Sequence, residues 1–487
     1  MYKRDELFIG GRWEGSAGSD RLQVISPTTE QVIGDVPAPT SDDVDRAVNS
    51  ARRAFDGGPW PRMSVVERAA YLRRVVDHLT THSDEATELQ IDEMGGTRRF
   101  IEANVSAIPL LLDQVVRDAE QVPLTEVRRG TVGDVLVLHD PVGVVAGIVP
   151  WNSPLMAAMT KLVPSLLMGC PIVVKPAPES PLSGYALAEA VEAAQLPPGV
   201  VSILGGGLAV GEHLVSHPWV DMVTFTGSTL GGRSVAATCG VQLKRVACEL
   251  GGKSAAIFMP DADLDRFVPV HLGNCIRNVG QICISLSRVL VPRERQDDLV
   301  ERIVASLSAM RIGDPHDRDT DIGPLAAERQ RARVEHYIKQ GIDEGAVLAL
   351  GGRRPAGMNR GWYVEPTLFR DVDNRMTVAR EEIFGPVICV IPYQDLDEAV
   401  SIANDSDYGL FGSVYSDDLA SATAIARRLE TGTCAVNDGP PSGGGGPFGG
   451  WKQSGVGRER APEGLLEYLE TRSIAMPAGA RVPDPVH

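Results

Sequence analysis

Val142-Gly-Val-Val-Ala-Gly-Ile-Val-Pro-Trp-Asn152 is the stretch from which the fold can be read. Residues 142–149 are apolar throughout, as in a strand covered on both faces, and the run ends at Pro150-Trp151-Asn152. A helix is expected over about 154–167, then a second buried strand at 172–174 that ends at Lys175-Pro176. A helix over 181–194 leads to a third strand at 200–204. Gly205-Gly206-Gly207 turns into a helix near 208–216, and a fourth strand, 222–225, closes at Thr226-Gly227-Ser228. Strand and helix alternate, which is the signature of a parallel sheet with crossover helices. Ligands in such sheets bind at the carboxyl ends of the strands, and Asn152, Lys175 and Ser228 all stand at such ends.

Working outward, residues 7–37 read as short strands with turns. Helices are expected from about Asp42, from a capping box at Ser64-Val-Val-Glu67, from 83 to Gly95-Gly96, and over 98–118. Residues 131–140 alternate like a half-exposed strand. From about 252 the α/β alternation restarts, which predicts a second α/β domain. It has strands at 255–258, 287–291, 346–350, 387–392 and 411–415, and helices at 263–279, 295–309, 326–344 and 419–430. Both 122–141 and the tail 465–480 look like arms leaving the main bodies. The low-complexity patch 443–446 reads as a mobile loop.

At 487 residues the chain exceeds one ordinary core. A net charge of −17 argues against nucleic acid or an anionic membrane as partner, while leaving room for a local phosphate site made of backbone N–H groups. Seven cysteines (170, 239, 248, 275, 283, 389 and 434) at irregular spacings, without a Cys-x-x-Cys pair, indicate neither a metal site nor a disulfide framework. They fit a reducing compartment. The N-terminal stretch lacks the apolar core of a signal peptide, and the most apolar region, 142–174, is broken by prolines and Lys161. A cytoplasmic protein is expected.

Three ingredients carry chemistry. Phe225-Thr-Gly-Ser-Thr-Leu-Gly-Gly232 follows a buried strand and opens a helix, so it suits an anion, although a plain structural turn has the same look. Cys283 after Gly-Gln, with Glu249 after a strand ending at Cys248, suits a nucleophile and a base; a buried cysteine and a solvated glutamate is the plainer alternative. Asn152 could donate to an oxyanion or cap the helix that follows it.

Together these stretches resemble the aldehyde dehydrogenase superfamily. The resemblance rests on Pro150-Trp-Asn152, Lys175-Pro176, Phe225-Thr-Gly-Ser-Thr229, Glu249-Leu-Gly-Gly-Lys-Ser254 and Asn278-x-Gly-Gln-x-Cys283. Glu381-Glu-Ile-Phe-Gly-Pro386, Asn404-Asp-Ser-x-Tyr-Gly-Leu410 and Pro447-Phe-Gly-Gly-x-Lys-x-Ser-Gly455 complete it, covering nearly the whole chain. It implies a Rossmann-like cofactor domain (1–121 and 142–251), an α/β catalytic domain (252–467) and a small β oligomerisation arm (122–141 and 468–487), in a dimer or homotetramer. It implies Cys283 as nucleophile, passing through a thiohemiacetal and a thioester, with Asn152 and the backbone N–H of Cys283 as oxyanion donors. Glu249 would activate the hydrolytic water. For the cofactor it implies Ser228, with Gly227 and Gly232, on the pyrophosphate and Lys175 on the adenosine ribose. Glu382 would hold the nicotinamide ribose, with Phe384, Trp151 and Leu250 lining that cleft.

One position departs from the pattern. Many NAD-preferring relatives carry a glutamate three residues after the lysine, where Pro178 stands here, with Glu179 beside it. NAD is expected, with NADP possible. The positions implied to line the aldehyde tunnel, Ser153, Ala157, Thr160, Ile282, Ile284 and the loop 438–446, are small or aliphatic. They offer no arginine for a second carboxylate and no aromatic cage, so an uncharged, fairly bulky aliphatic or aromatic aldehyde is expected. A semialdehyde-specific or CoA-acylating enzyme is the nearest rival, disfavoured by Glu249. A catalytically silent relative with a structural or binding role is the other, disfavoured by the joint presence of Cys283, Glu249 and Asn152.

Overall fold

The computed structural model describes residues 1–440 and 445–480. Two sheets dominate it. The first is eight-stranded, and its central strands run parallel in the order Arg245–Glu249, Met222–Thr226, Val145–Ile148, Ile172–Lys175, Val201–Ile203. Antiparallel Gly455–Val456 closes one edge and the hairpin Glu6–Ile9/Arg12–Gly15 the other. Chain order reverses between Val145–Ile148 and Met222–Thr226, so the crevice expected of such a sheet opens at their carboxyl ends. The second sheet is seven-stranded. Thr367–Arg370, Val387–Tyr393, Arg288–Pro292, Ala255–Phe258, Phe411–Tyr415 and Thr433–Val436 run parallel, with antiparallel Val347–Leu350 at the edge. A third, antiparallel sheet joins Thr125–Arg129, Asp134–Pro141 and Leu469–Ala475.

The elements follow from local chemistry. The capping box read at Ser64 is present, with Glu67 accepting from the Ser64 N–H at 2.7 Å; a second box, at Thr40 and Asp43, escaped the pattern. The helix expected over 98–118 is two helices, Arg98–Ser106 and Ile108–Ala119. Pro109 lacks the N–H and crowds the carbonyl a turn earlier, so it starts a new helix instead of continuing the old one. The helix expected over 263–279 stops at Cys275, because Asn278, Val279 and Gly280 adopt φ of +51°, +60° and +71°. The strands Thr367–Arg370 and Thr433–Val436 were not anticipated, and the helix expected to reach 430 ends at Ala426. Residues 441–444 of the glycine-rich loop and 481–487 of the expected arm lie outside the described residues. Among the described residues no helix is long and apolar enough to cross a membrane.

Candidate active site

The parallel register sets the ends of the first sheet side by side: Ile148 opposite Lys175, Phe225 opposite Ile148, Thr226 opposite Glu249. Trp151, Asn152, Lys175, Ser228 and Glu249 are therefore strung along one edge. From Glu249 the chain runs through Leu250-Gly-Gly-Lys-Ser254 directly into Ala255–Phe258, so the carboxyl edge of the first sheet meets the amino edge of the second. Of the two glycines in this connection, Gly252 is sterically required by backbone, and a side chain at Gly251 would displace a carboxylate. A Cβ on Gly251 would lie 2.2 Å from the Glu382 carboxylate, and one on Gly252 would lie 2.7 Å from the Cys283 carbonyl oxygen.

The left-handed run 278–280 aims the nucleophile loop. A β-branched valine at positive φ is strained, and it persists because its neighbours are fixed on both sides. Asn278 Nδ2 donates to the Asn152 carbonyl at 2.9 Å, and Asn152 Nδ2 donates to the Gln281 carbonyl at 2.8 Å. The Gln281 side chain is tied in turn, accepting from the Ala326 N–H at 3.0 Å and donating to the Asn278 carbonyl at 3.1 Å. The capping alternative for Asn152 is not what forms. Ser153 holds the N-cap position of helix Pro154–Leu167, without a side-chain cap, and Asn152 instead reaches across to the other sheet's loop.

Cys283 is half-buried and shares a cavity of about 1120 Å³ with Asn152 and Glu249. Burial pushes its thiol up to about 12, and the carboxylates Glu382, Glu249 and Glu459 push in the same direction. Glu249 is raised well above the usual carboxylate range by burial and by Glu459, and its Oε2 has no partner among the described residues. Behind it, fully buried Lys161 donates to Glu459 at 2.8 Å and to Thr224 Oγ1 at 3.1 Å. Sequence reasoning missed both. Glu459 lies in no motif, and Lys161 registered only as a charge in an apolar stretch, which was itself the usable signal, since a charge inside a buried helix needs a partner.

On the other side of Cys283, Trp151 meets Phe384 edge-to-face at 5.5 Å, closing the sheets together. Glu382 accepts from the Gly252 N–H at 3.1 Å, and burial raises its carboxyl to about 7. Lys175 is buried, lowered to about 8 by desolvation, and among the described residues its ammonium donates to the carbonyls of Pro176 and Gly206. Ser228 caps helix Thr229–Gln242, its Oγ accepting from the Gly231 N–H at 3.1 Å. Gly227 donates to the Glu249 carbonyl. Gly232 lets the Leu250 side chain pack on the helix, where a Cβ would lie 2.4 Å from it. Glu179 turns to an ion pair with Arg329.

Ser153, Ala157, Thr160, Ile282 and Ile284 all line the cavity. The helices Arg98–Ser106 and Ile108–Ala119 add Phe100 and Leu111, and Met156 and Phe448 join them. The expectation of a wall without arginine is corrected: Arg99, Arg117, Arg277 and Arg460 also line it. They come from segments that no motif marks, and only their convergence in space reveals them.

Residues 13–474 match the aldehyde dehydrogenase family. The chain belongs to that family. It is 43% identical to a geranial dehydrogenase of Castellaniella defragrans, over 96% of this chain and 98% of that one. An aldehyde dehydrogenase of Mycobacterium tuberculosis complexed with NAD+ superposes with a TM-score of 0.96 at 44% identity, covering 99% of this chain and 100% of that one. A mutant aldehyde dehydrogenase C of Pseudomonas syringae, complexed with NAD+ and octanal, gives a TM-score of 0.93 at 38% identity, covering 98% of each chain. This protein is an NAD-dependent aldehyde dehydrogenase, oxidising an aldehyde to the acid. The residues present fit a dinucleotide. A buried ammonium has no carboxylate acceptor among the described residues, a fourteen-residue helix presents its N-terminus at Ser228, and the Glu382 carboxylate flanks Gly251 at the cleft.

Proposed function

We propose that Cys283 is the nucleophile, Asn152 an oxyanion donor and Glu249 the base for thioester hydrolysis, acting on an uncharged, fairly bulky aldehyde. The observation that carries this reading is the lining of one cavity by all three side chains, with the Asn152 amide fixed to the nucleophile's own loop. Burial keeps the resting thiol protonated, so the nucleophile forms as its proton leaves to solvent, and Glu249 stays free as the base for the later water. Sulfur then adds to the aldehyde carbon, and the Asn152 amide and the Cys283 N–H hold the developing oxyanion. Bound NAD supplies the hydride acceptor. Glu249 next deprotonates the water that releases the acid from Cys283, and the Lys161–Glu459 pair behind it sets its charge state.

The same reading assigns Trp151, Lys175, Glu179, Gly227, Ser228, Gly232, Leu250, Glu382 and Phe384 to the cofactor. NADP use is supported by Pro178 and by the ion pair that Glu179 makes with Arg329, which weaken repulsion of a 2′-phosphate. A preference for NAD above about a thousandfold in kcat/KM overturns dual use. We divide the chain into a cofactor domain (1–121 and 142–251), a catalytic domain (252–467) and an arm (122–141 and 468–487). The exposed strand Leu469–Ala475 on the edge of the third sheet supports a dimer or tetramer, since a second subunit would cover it. A cytoplasmic location fits the free thiols. Geranial in one relative's name and octanal in one complex support an uncharged aldehyde. The test is NADH formation over an aldehyde panel: activity is expected for octanal and geranial, and Cys283→Ala abolishes it. Persistence in that variant would falsify the mechanism.

A further inference from the structure

The helix Pro181–Ala193 is capped from another part of the chain. Ser180 holds its N-cap position but makes no side-chain cap bond, and its buried Oγ has no hydrogen-bond partner among the described residues. The first-turn N–H groups go instead to Glu93, on the helix Ser83–Met94. Leu182 N donates to Glu93 Oε2 at 2.9 Å and Ser183 N to Oε1 at 3.0 Å, and Ser183 Oγ donates to Oε1 as well. Glu93 is fully buried, and burial raises its carboxyl to about 8. A cap supplied by Ser180 would hold the helix without taking a carboxylate out of water. Helix stability alone therefore does not account for Glu93.

What the helix end carries does account for it. Residues 176–180 join the strand end at Lys175 to Pro181. Pro176 and Pro178 have no N–H, so this segment cannot lock itself with a full set of backbone bonds. It is held at its ends. The Gly206 N–H donates to the Pro176 carbonyl at 3.2 Å, and the Lys175 ammonium donates to the same carbonyl at 3.1 Å. The Pro176 ring packs on the helix so closely that a Cβ on Gly184 would lie 2.6 Å from it. Helix end, segment and ammonium therefore move together. We propose that Glu93 is a positioning residue for the cofactor, which fixes Leu182 and Ser183 and thereby aligns the segment from Lys175 to Glu179 with the adenosine half of NAD. The inference rests on the reading of Lys175 and Glu179 as adenosine contacts.

The experiment measures NAD saturation, and competitive inhibition by AMP as a probe of the adenosine half, in the wild type and in Glu93→Gln, Ser183→Ala and Lys175→Met. Glu93→Gln turns one acceptor oxygen into an amide NH2 that faces an N–H. KM for NAD and Ki for AMP are expected to rise together by roughly tenfold. At saturating NAD, kcat should not fall, and KM for octanal should stay within about twofold of the wild type. Ser183→Ala removes one of the three donors and should raise both constants by about threefold; it carries the same criteria if Glu93→Gln does not fold. Unchanged NAD and AMP constants beside raised ones in Lys175→Met overturn the proposal. A fall in kcat as large as the rise in KM also overturns it, since that marks a general loss of structure. Unchanged constants in Lys175→Met would instead overturn the reading of the segment as the adenosine site.

Discussion

The two sides of Cys283 are built differently. The side proposed for the cofactor is made of strand ends and close backbone approaches: Lys175 and Ser228 at the edge of one sheet, Glu382 against Gly251 and Gly252, and Trp151 against Phe384. The aldehyde side is made of side chains that converge from remote helices, with Phe100 and Leu111 from one pair, Met156 from another, and Arg277 from a turn. Backbone approach tolerates few residues at a given position, so the first side is written in short motifs. Side-chain convergence tolerates many, so the second is free to vary with the substrate.

This contrast can be broken. The largest effect is expected where both sides share one residue. Glu249→Gln should slow turnover by ~10²–10⁴ and leave a burst of NADH from the undischarged thioester. In the wild type, activity should climb on the alkaline side, because the carboxylate form of Glu249 fills only as pH passes its raised pKa. A burst-free variant, or a flat pH profile, counts against Glu249 as the hydrolytic base.

Next comes Gly251→Ala, which puts a methyl into the Glu382 carboxylate. It should lower kcat/KM for NAD by roughly tenfold to a hundredfold while the relative rates over an aldehyde panel stay as they were. Leu111→Ala should do the opposite, changing kcat/KM for octanal by about tenfold with NAD affinity kept, as measured by quenching of protein fluorescence. If either substitution moves both sides alike, the separation drawn here is wrong.

The smallest effect concerns what holds the two bodies in register. His316, in a loop of the second, lies between Glu88 at 2.9 Å and Asp92 at 3.0 Å on helix Ser83–Met94 of the first, and these bonds raise its pKa. A raised folded-state pKa gives stability that is present below about pH 6.5 and fades as pH rises through the folded value. The group is partly exposed, so screening keeps the effect small. His316→Gln should lower Tm by roughly 1–2 °C in mildly acidic buffer and by less in alkaline buffer; an equal shift at both removes the clamp from the account.

The legibility of the chain follows the same division. The four buried strands, the restart after residue 252 and the Ser64 box were readable from periodicity and spacing, whereas the Cys283–Glu249–Asn152 set was suggested only by the family resemblance of its motifs. The break at Ala107 was signalled by Pro109 and passed over in favour of a continuous apolar stripe. The left-handed step carries a propensity signal at Asn278 but none at Val279, where the bonds of Asn278 to Asn152 and of Gln281 to Ala326 hold the turn from both sides. Lys161 and Glu459 acquire meaning only from each other, hundreds of residues apart along the chain.

The connection Leu250–Ser254 has a mechanical consequence. It joins the two sheets beside the nucleophile, so a rotation of one body against the other about this point has almost no lever arm at Cys283 and a long one at the outer rim of the cleft. Any such rotation would change the width of the rim far more than the separation of sulfur, carboxylate and amide.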